Sequence, residues 1–370
     1  MLSVQCCVAP AASPAGGARR HTFDTHSSFD TITGAFFWCR REAVPLDDGG
    51  GRFAPETTDR PVIGILCLEL SPTVKKFYGD HDSYIAASYV KFVEGAGARV
   101  APVLIGQPDE YYRNVVRSVN GLLLPGGATY FTEKNGYAAA GRRLYAEAIA
   151  LNEAGVHFPV LGICLGMQLL AVAAAEEDLR SDCKSEDTVP LVFLPGAKRY
   201  SRLFARAQSA VIRTLEKENV TVNHHGRCVT REHMRRPGLS DWRPLTVNKD
   251  ADGVEFVSAL EHRRLPFYGV QFHPEKNSYE WKPTKNYPHW PSAIVASRYF
   301  ADLLVWEARR NGNRFAPELE RDRLIYRHQP TDTQRHLMWE QLYFISNSGC
   351  GTAEVRDTPG PGQNGEDFDV

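Results

Sequence analysis

Gly162-Ile163-Cys164-Leu165-Gly166 sets a cysteine between two glycines, where a short apolar run, Phe158 to Ile163, meets an Ala-, Leu- and Met-rich run, Leu165 to Ala175. The first run reads as a buried strand and the second as a helix. A strand that turns directly into a helix around one reactive residue is a nucleophile elbow, here with cysteine in the usual place of serine. The glycines let backbone and neighbouring elements approach closely, and the central residue is left exposed and strained. At a helix N-terminus, free N–H groups and aligned peptide dipoles favour the thiolate, the species that attacks carbonyl carbon. The five-residue pattern carries little alone; its strand-to-helix setting gives it weight, because a structural cysteine needs none of this.

Cysteine chemistry needs a proton carrier, and His273-Pro274-Glu275 follows the apolar run Phe267 to Phe272. An imidazole with an ordinary pKa near 6.5 can take the thiol proton and return it to a leaving amine. Glu275, two residues on in extended chain, projects on the same side and can orient that ring. Alone, a histidine at a strand end reads as satisfied by backbone; beside a cysteine elbow it reads as a general acid and base. Leu124-Pro125-Gly126-Gly127 ends another short strand. By itself Pro-Gly-Gly is a turn. Joined to the N–H of Leu165, the backbone of Gly126 or Gly127 can form an oxyanion hole.

The elements that would carry these groups alternate along the chain. Val62 to Cys67 is a continuous apolar run of the kind buried in a parallel sheet, and Ile85 to Gly95 follows with helical spacing. Arg99 to Leu104 and Gly121 to Leu124 read as strands and Ala138 to Asn152 as a helix. After the elbow, Val254 to Leu260 and Phe267 to Phe272 read as strands, and a last helix runs from Pro291 to Arg310 before Asn311-Gly312. This rhythm predicts an α/β fold: three layers, αβα, around a mostly parallel, doubly wound sheet. Catalytic groups in such sheets collect at the C-terminal ends of the strands, where all three motifs fall.

The folded block is expected over residues 59–345. Residues 1–58 carry Gly16-Gly17 and Gly49-Gly50-Gly51 with little periodicity, and read as a flexible extension. Residues 346–370, with Pro359-Gly360-Pro361-Gly362, read as a disordered tail. The 43 Lys and Arg nearly balance 44 Asp and Glu, so no broad positive field exists to hold nucleic acid or an anionic membrane. No apolar run approaches the roughly 18 to 20 residues a membrane span needs. The eight cysteines show no repeated spacing and no CxxC pair, so no disulfide framework is expected, and Cys67 reads as a core residue. His224, His225 and Cys228 lack a fourth ligand at suitable spacing, so zinc is the weaker reading there, and no metal or cofactor is expected.

The trio PGG, GICLG and FHPEK, in this order, resembles the class I glutamine amidotransferases, and more closely the γ-glutamyl hydrolases. The resemblance extends through Arg60 to Ile65, Tyr84 to Lys91, Gly95 to Val100, His157 to Val160, Gly269 to Lys276, Tyr279-Glu280-Trp281 and Leu324-Ile325-Tyr326. It implies the amidotransferase-like fold, Cys164 as nucleophile, His273 as general acid and base, and Glu275 as a third member. It also implies that Asn223-His224-His225 brings His225 rather than His224 to the cleft. Gln168, four residues after the nucleophile, matches the glutaminase form of the elbow, where the hydrolases often carry Glu.

The activity implied is cleavage of folate poly-γ-glutamates, small-molecule substrates, by a lysosomal or secreted enzyme for which a homodimer is allowed. Residues 1–30 show no clear apolar signal core, so location rests on the resemblance alone. Two other functions compete. A glutaminase subunit usually needs an acceptor domain, and no segment of this chain is expected to be long enough for one. A non-catalytic binding protein on the same fold is disfavoured by the intact nucleophile and base.

Overall fold

The computed structural model of the protein describes residues 58–347. All but the innermost residues of the extension expected over 1–58 and of the tail expected over 346–370 lie outside the described residues, as do Cys6, Cys7, Cys39 and Cys350.

The central sheet has eight strands: β1 (Val62–Leu66), β2 (Arg99–Val103), β3 (Gly121–Leu124), β4 (Val160–Ile163), β5 (Val192–Phe193), β6 (Trp242–Lys249), β7 (Glu255–His262) and β8 (Phe267–Val270). Their order across the sheet is β2-β1-β3-β4-β8-β7-β6-β5. The first five are mutually parallel, and the remaining pairings are antiparallel. Every residue of β1, β3, β4 and β8 is buried, which requires cover on both faces of the sheet. Two groups of helices supply it. Helix α1 (Ala87–Gly95) packs on α5 (Pro291–Ala308) and on β1; α2 (Asp109–Val116), α3 (Tyr137–Glu153) and α4 (Leu165–Ala175) pack in succession, with α4 against β3, β4 and β8. The three-layer α/β architecture expected from the alternation is the one observed. No helix of the described residues is long and apolar enough to cross a membrane.

Three details differ from the sequence reading. The helix expected from Ile85 starts at Ala87, because Ser83–Ala86 is a fully buried strand paired antiparallel with Gln341–Ile345. Its partner lies far along the chain, beyond the reach of local periodicity. Strand β6 was not anticipated: Pro244 interrupts its pattern, and its pairing with β7 is irregular on either side of Thr246. The third is a correction to the cysteines. Cys183 and Cys228 form a disulfide between Ser181–Ser185 and His225–Cys228, two short antiparallel strands that bring the Cα atoms to 5.6 Å across 45 residues. Cys67 is fully buried, and burial pushes its thiol up to about 12, so it is inert.

Candidate active site

The elbow is built by the ends of β4 and α4. Cys164 is the N-cap of α4 with φ 52 and ψ −107, a left-handed conformation that a residue bearing a Cβ holds only under constraint. The constraint is visible in its backbone bonds. The Cys164 N–H donates to the Val270 carbonyl at 2.7 Å, and the Cys164 carbonyl accepts the Gln168 N–H at 3.1 Å, the first turn of α4. Gly166 is required because a side chain there would drive into the Leu124 backbone at the end of β3. The N–H of Leu165, first in the helix, has no intrahelical partner.

His273 and Glu275 leave the end of β8, next to β4 in the sheet. Nδ1 of His273 donates to Oε1 of Glu275 at 2.7 Å, and both side chains are buried. That bond leaves Nε2 as the working end of the ring, and Nε2 is buried without a hydrogen-bond partner. Burial alone would depress the imidazole, but the Glu275 carboxylate and the Cys164 sulfur outweigh it and raise it to about 9. Burial pushes the Glu275 carboxyl up, yet the charges of His273 and then Lys276 hold it below its ordinary value. The pair is therefore poised as imidazolium and carboxylate.

Gly126 is where these groups converge. A Cβ there would stand 2.6 Å from the Tyr89 hydroxyl, 2.7 Å from Cε1 of His273 and 3.1 Å from Cβ of Cys164. The structure separates the two glycines expected to offer N–H groups. The Gly126 N–H donates to the Tyr89 hydroxyl at 2.9 Å and is occupied. Gly127 lines the cavity beside Cys164, so Gly127 and Leu165 are the donors left for an oxyanion.

Gln168 is buried, and its amide donates to the Arg227 carbonyl at 2.7 Å and to Oε1 of Gln271 at 3.2 Å. Gln271 in turn donates to Sγ of Cys164 at 3.5 Å. Gln168 thereby sets the way the Gln271 amide faces the sulfur. His225 and His224 both line the cleft, which corrects the expectation that only His225 would. The His224 carbonyl lies 3.8 Å from Sγ of Cys164, while Nδ1 of His225 donates to the Cys183 carbonyl at 2.9 Å and its buried Nε2 is unpartnered. Burial pushes both rings down to about 4, so both are neutral near pH 7. Cys228 is held by Cys183, which removes it from the zinc reading.

Two cavities meet at this point. One, about 840 Å³, is lined by Cys164, Leu165 and Gln168 together with Leu70, Ile105 and Tyr130. The other, about 600 Å³, is lined by His273, Lys276 and Trp339. Gly127 and Ala128 belong to both walls. Sequence reasoning missed Tyr89, Gln271 and Lys276 as site residues. Tyr89 falls within the helical stretch expected from Ile85, and a phenol among apolar neighbours there was the available signal. Gln271 and Lys276 sit within the very segment that carries His273.

Comparisons with known proteins show the family of this chain. The Peptidase C26 family pattern matches residues 61–275, from the first strand through Glu275. A gamma-glutamyl hydrolase of Mus musculus is 37% identical over 78% of this chain and 90% of its own length. That of Homo sapiens is 35% identical over 78% and 91%, and gamma-glutamyl hydrolase 1 of Arabidopsis thaliana 34% over 75% and 80%. The relatives span mammals and plants, and each is matched across most of its length. With the cysteine elbow and the His–Glu pair inside the matched segment, the chain belongs to the peptidase C26 family, with the gamma-glutamyl hydrolases as its relatives.

Proposed function

We propose that this protein is a cysteine hydrolase that cleaves the γ-glutamyl amide bonds of pteroyl poly-γ-glutamates through a thioester on Cys164. One observation carries the reading: Cys164, at positive φ on a helix N-terminus, meets an imidazole raised to about 9 across Gly126. The relatives' names, gamma-glutamyl hydrolase, supply the bond.

In this reading the thiolate of Cys164 attacks the γ-carbonyl carbon, and the carbonyl electron pair moves to oxygen, where the N–H groups of Gly127 and Leu165 receive it. Collapse of the adduct breaks the C–N bond, and the departing nitrogen takes the proton His273 carries on Nε2. Water then adds to the thioester and gives a proton to His273. The second collapse breaks the C–S bond, returns the thiolate and frees the γ-carboxyl group. Glu275 and Tyr89 hold the imidazole in place without exchanging protons with substrate.

The same reading assigns residues 59–345 to one catalytic domain. It also assigns a lysosomal or extracellular place of action, which the Cys183–Cys228 disulfide supports because such bonds persist in oxidising compartments. A homodimer rests on the family resemblance.

Mass spectrometry of products from matched γ- and α-linked pteroyl-triglutamates tests the proposal. The expected result is cleavage of the γ-linked chain with the α-linked chain essentially untouched, a ratio of about 10⁴, because a misplaced carboxylate leaves buried donors unpaired. Comparable rates would leave only a generic cysteine peptidase. Ammonia released from free glutamine faster than either would put a glutaminase first.

A further inference from the structure

The two cavities share Gly127, Ala128, His224, His225 and Gly226 and differ in the charges on their remaining walls, and that difference orients a substrate. Cys164, Leu165 and Gly127 face the larger one, so the carbonyl under attack and its acyl group belong on that side. Its wall combines Leu70, Pro72, Ile105 and Tyr130 with the carboxylates of Glu69 and Glu133. Its nearest cations are already engaged: Arg180 pairs with Asp178 at 2.7 Å and lies 3.6 Å over the Phe131 ring, and Arg227 pairs with Asp178 and Asp182. Its volume of about 840 Å³ lies within the range of about 300–1,000 Å³ common for small-molecule sites.

His273 lines the smaller cavity and not the larger. A general acid must stand beside the nitrogen it protonates, so the leaving amine belongs on this side. The wall here is cationic. Lys184, Lys276 and Lys282 line it against one carboxylate, Glu186, which pairs with Lys285 at 3.1 Å and with Lys184 at 3.9 Å. Lys282 donates to the carbonyls of Gln334 and Leu337 at 2.5 and 2.8 Å, which fixes its ammonium without neutralising it. Lys276 is the sharpest feature. It is 2% exposed, its ammonium has no hydrogen bond or ion pair within 4 Å among the described residues, the carboxylates of Glu275 and Glu280 act on it from farther off, and it rests 5.5 Å from the Tyr287 ring and 6.0 Å from the Trp339 ring. An ammonium buried beside a cavity with no direct anionic contact is stabilised by an anion that enters the cavity.

We infer that the cavity lined by Lys276, Lys184 and Lys282 is a leaving-group subsite that takes the α-carboxylates of the released γ-linked glutamates, while the larger cavity, whose carboxylates are Glu69 and Glu133, holds the acyl side. This rests on the γ-glutamyl hydrolase reading above and adds to it the direction in which the substrate lies. A leaving group of one glutamate carries two carboxylates, and each further γ-linked residue adds one. The subsite therefore favours longer chains on the leaving side, and cleavage that releases glutamate or oligoglutamate from the distal end.

The experiment compares two substrates with the same acyl group, pteroyl-γ-glutamyl-glutamate and pteroyl-γ-glutamyl-anilide, whose leaving group has no charge. The quantity read is the ratio of kcat/KM for the two. A loss shared by both substrates reports on structure or on the neighbouring Glu275, and only the ratio reports on the subsite. Lys276→Met is expected to lower that ratio roughly 10- to 100-fold, the range for losing one charge-assisted contact. Lys184→Gln alters a side chain 76% exposed, so the fold is kept, and is expected to lower the ratio about threefold, as a screened surface charge would. An unchanged ratio in both variants overturns the subsite. Wild-type protein inert on both substrates overturns the γ-glutamyl reading itself, a different result from an active enzyme with an unchanged ratio.

Discussion

The Tyr89 hydroxyl lies 3.2 Å from Nδ1 of His273 while it accepts the Gly126 N–H at 2.9 Å. One side chain from α1 thus ties the imidazole leaving β8 to the glycine turn leaving β3. Burial first, then the charges of Glu275 and Cys164, push this phenol well above its ordinary pKa, so it stays neutral throughout. Tyr89→Phe removes the acceptor and leaves a buried N–H unpaired, at a cost of about 1–3 kcal/mol in stability. The expected kinetic outcome is a fall in kcat of about tenfold with KM little changed, since the phenol positions the acid and touches no substrate. Steady-state kinetics with urea unfolding decide it, and a rise in KM alone would contradict the positioning role.

Cys164→Ala is expected to bring hydrolysis to background while substrate binding and the fold persist. His273→Asn is expected to cost about 10²- to 10⁴-fold in kcat through loss of proton transfer, and Glu275→Gln less. Capture of a thioester by rapid acid quench and intact-mass measurement, present in wild type and absent in Cys164→Ala, checks the nucleophile. A variant that keeps more than a few per cent of activity would remove Cys164 from the mechanism.

Gln168→Glu tests the chain Gln168–Gln271–Cys164. Arg180 donates to Oε1 of Gln168 at 3.5 Å and would donate to one carboxylate oxygen there. The other oxygen would face the Arg227 carbonyl and Oε1 of Gln271, two acceptors. Gln271 would then have to turn its amide and withdraw its N–H from the sulfur. The expected result is a roughly tenfold lower kcat and a stability loss of about 1–3 kcal/mol. Unchanged kcat, with unchanged alkylation of Cys164 by iodoacetamide, would show that the relay does no chemical work.

The pH dependence has two limbs of opposite origin. The pKa of His273 is raised, to about 9 from an unfolded value near 6.5. Its contribution to stability is full below about pH 6.5 and lost as pH rises through about 9, and kcat/KM should fall over the same alkaline range as the imidazolium disappears. For His224, His225 and His262, burial depresses the pKa to about 4, so their contribution is full above about 6.5 and lost as pH falls toward 4. Nδ1 of His262 accepts the N–H groups of Arg264 and Leu265 at 3.2 and 3.0 Å, bonds that protonation there would break. His262→Asn keeps an acceptor and cannot charge, so Tm should fall less steeply between pH 6.5 and 4 in that variant. An equal slope would mean the acid loss arises elsewhere.

The Cys183–Cys228 disulfide braces both strands behind the cleft. The Cys183 carbonyl accepts from His225, and the Arg227 carbonyl, next to Cys228, accepts from Gln168. The double variant Cys183→Ala, Cys228→Ala is expected to lose about 2–5 kcal/mol of stability and to raise KM several-fold as these two carbonyls loosen. Thermal unfolding and steady-state kinetics on the same preparation measure both. A stability loss with unchanged KM would confine the bond to a purely structural role.

Local pattern was enough for the five parallel strands, for helices α3, α4 and α5, for the elbow at Cys164 and for the candidate pair His273 and Glu275. Each of these is written in adjacent residues: two glycines around a cysteine, an apolar run before His273, a two-residue step to Glu275. What joins them was not legible. Tyr89 reaches His273 across 184 positions and Gln168 reaches Gln271 across 103, while Cys183 finds Cys228 only because two short polar strands pair antiparallel. The periodicity that predicts a helix or strand reports which face of one element is buried, not what it is buried against. The ammonium of Lys276 makes the same point. In the sequence it is one lysine after a motif, and only the rings of Tyr287 and Trp339, folded over it from separate segments, turn it into a buried charge beside a cavity.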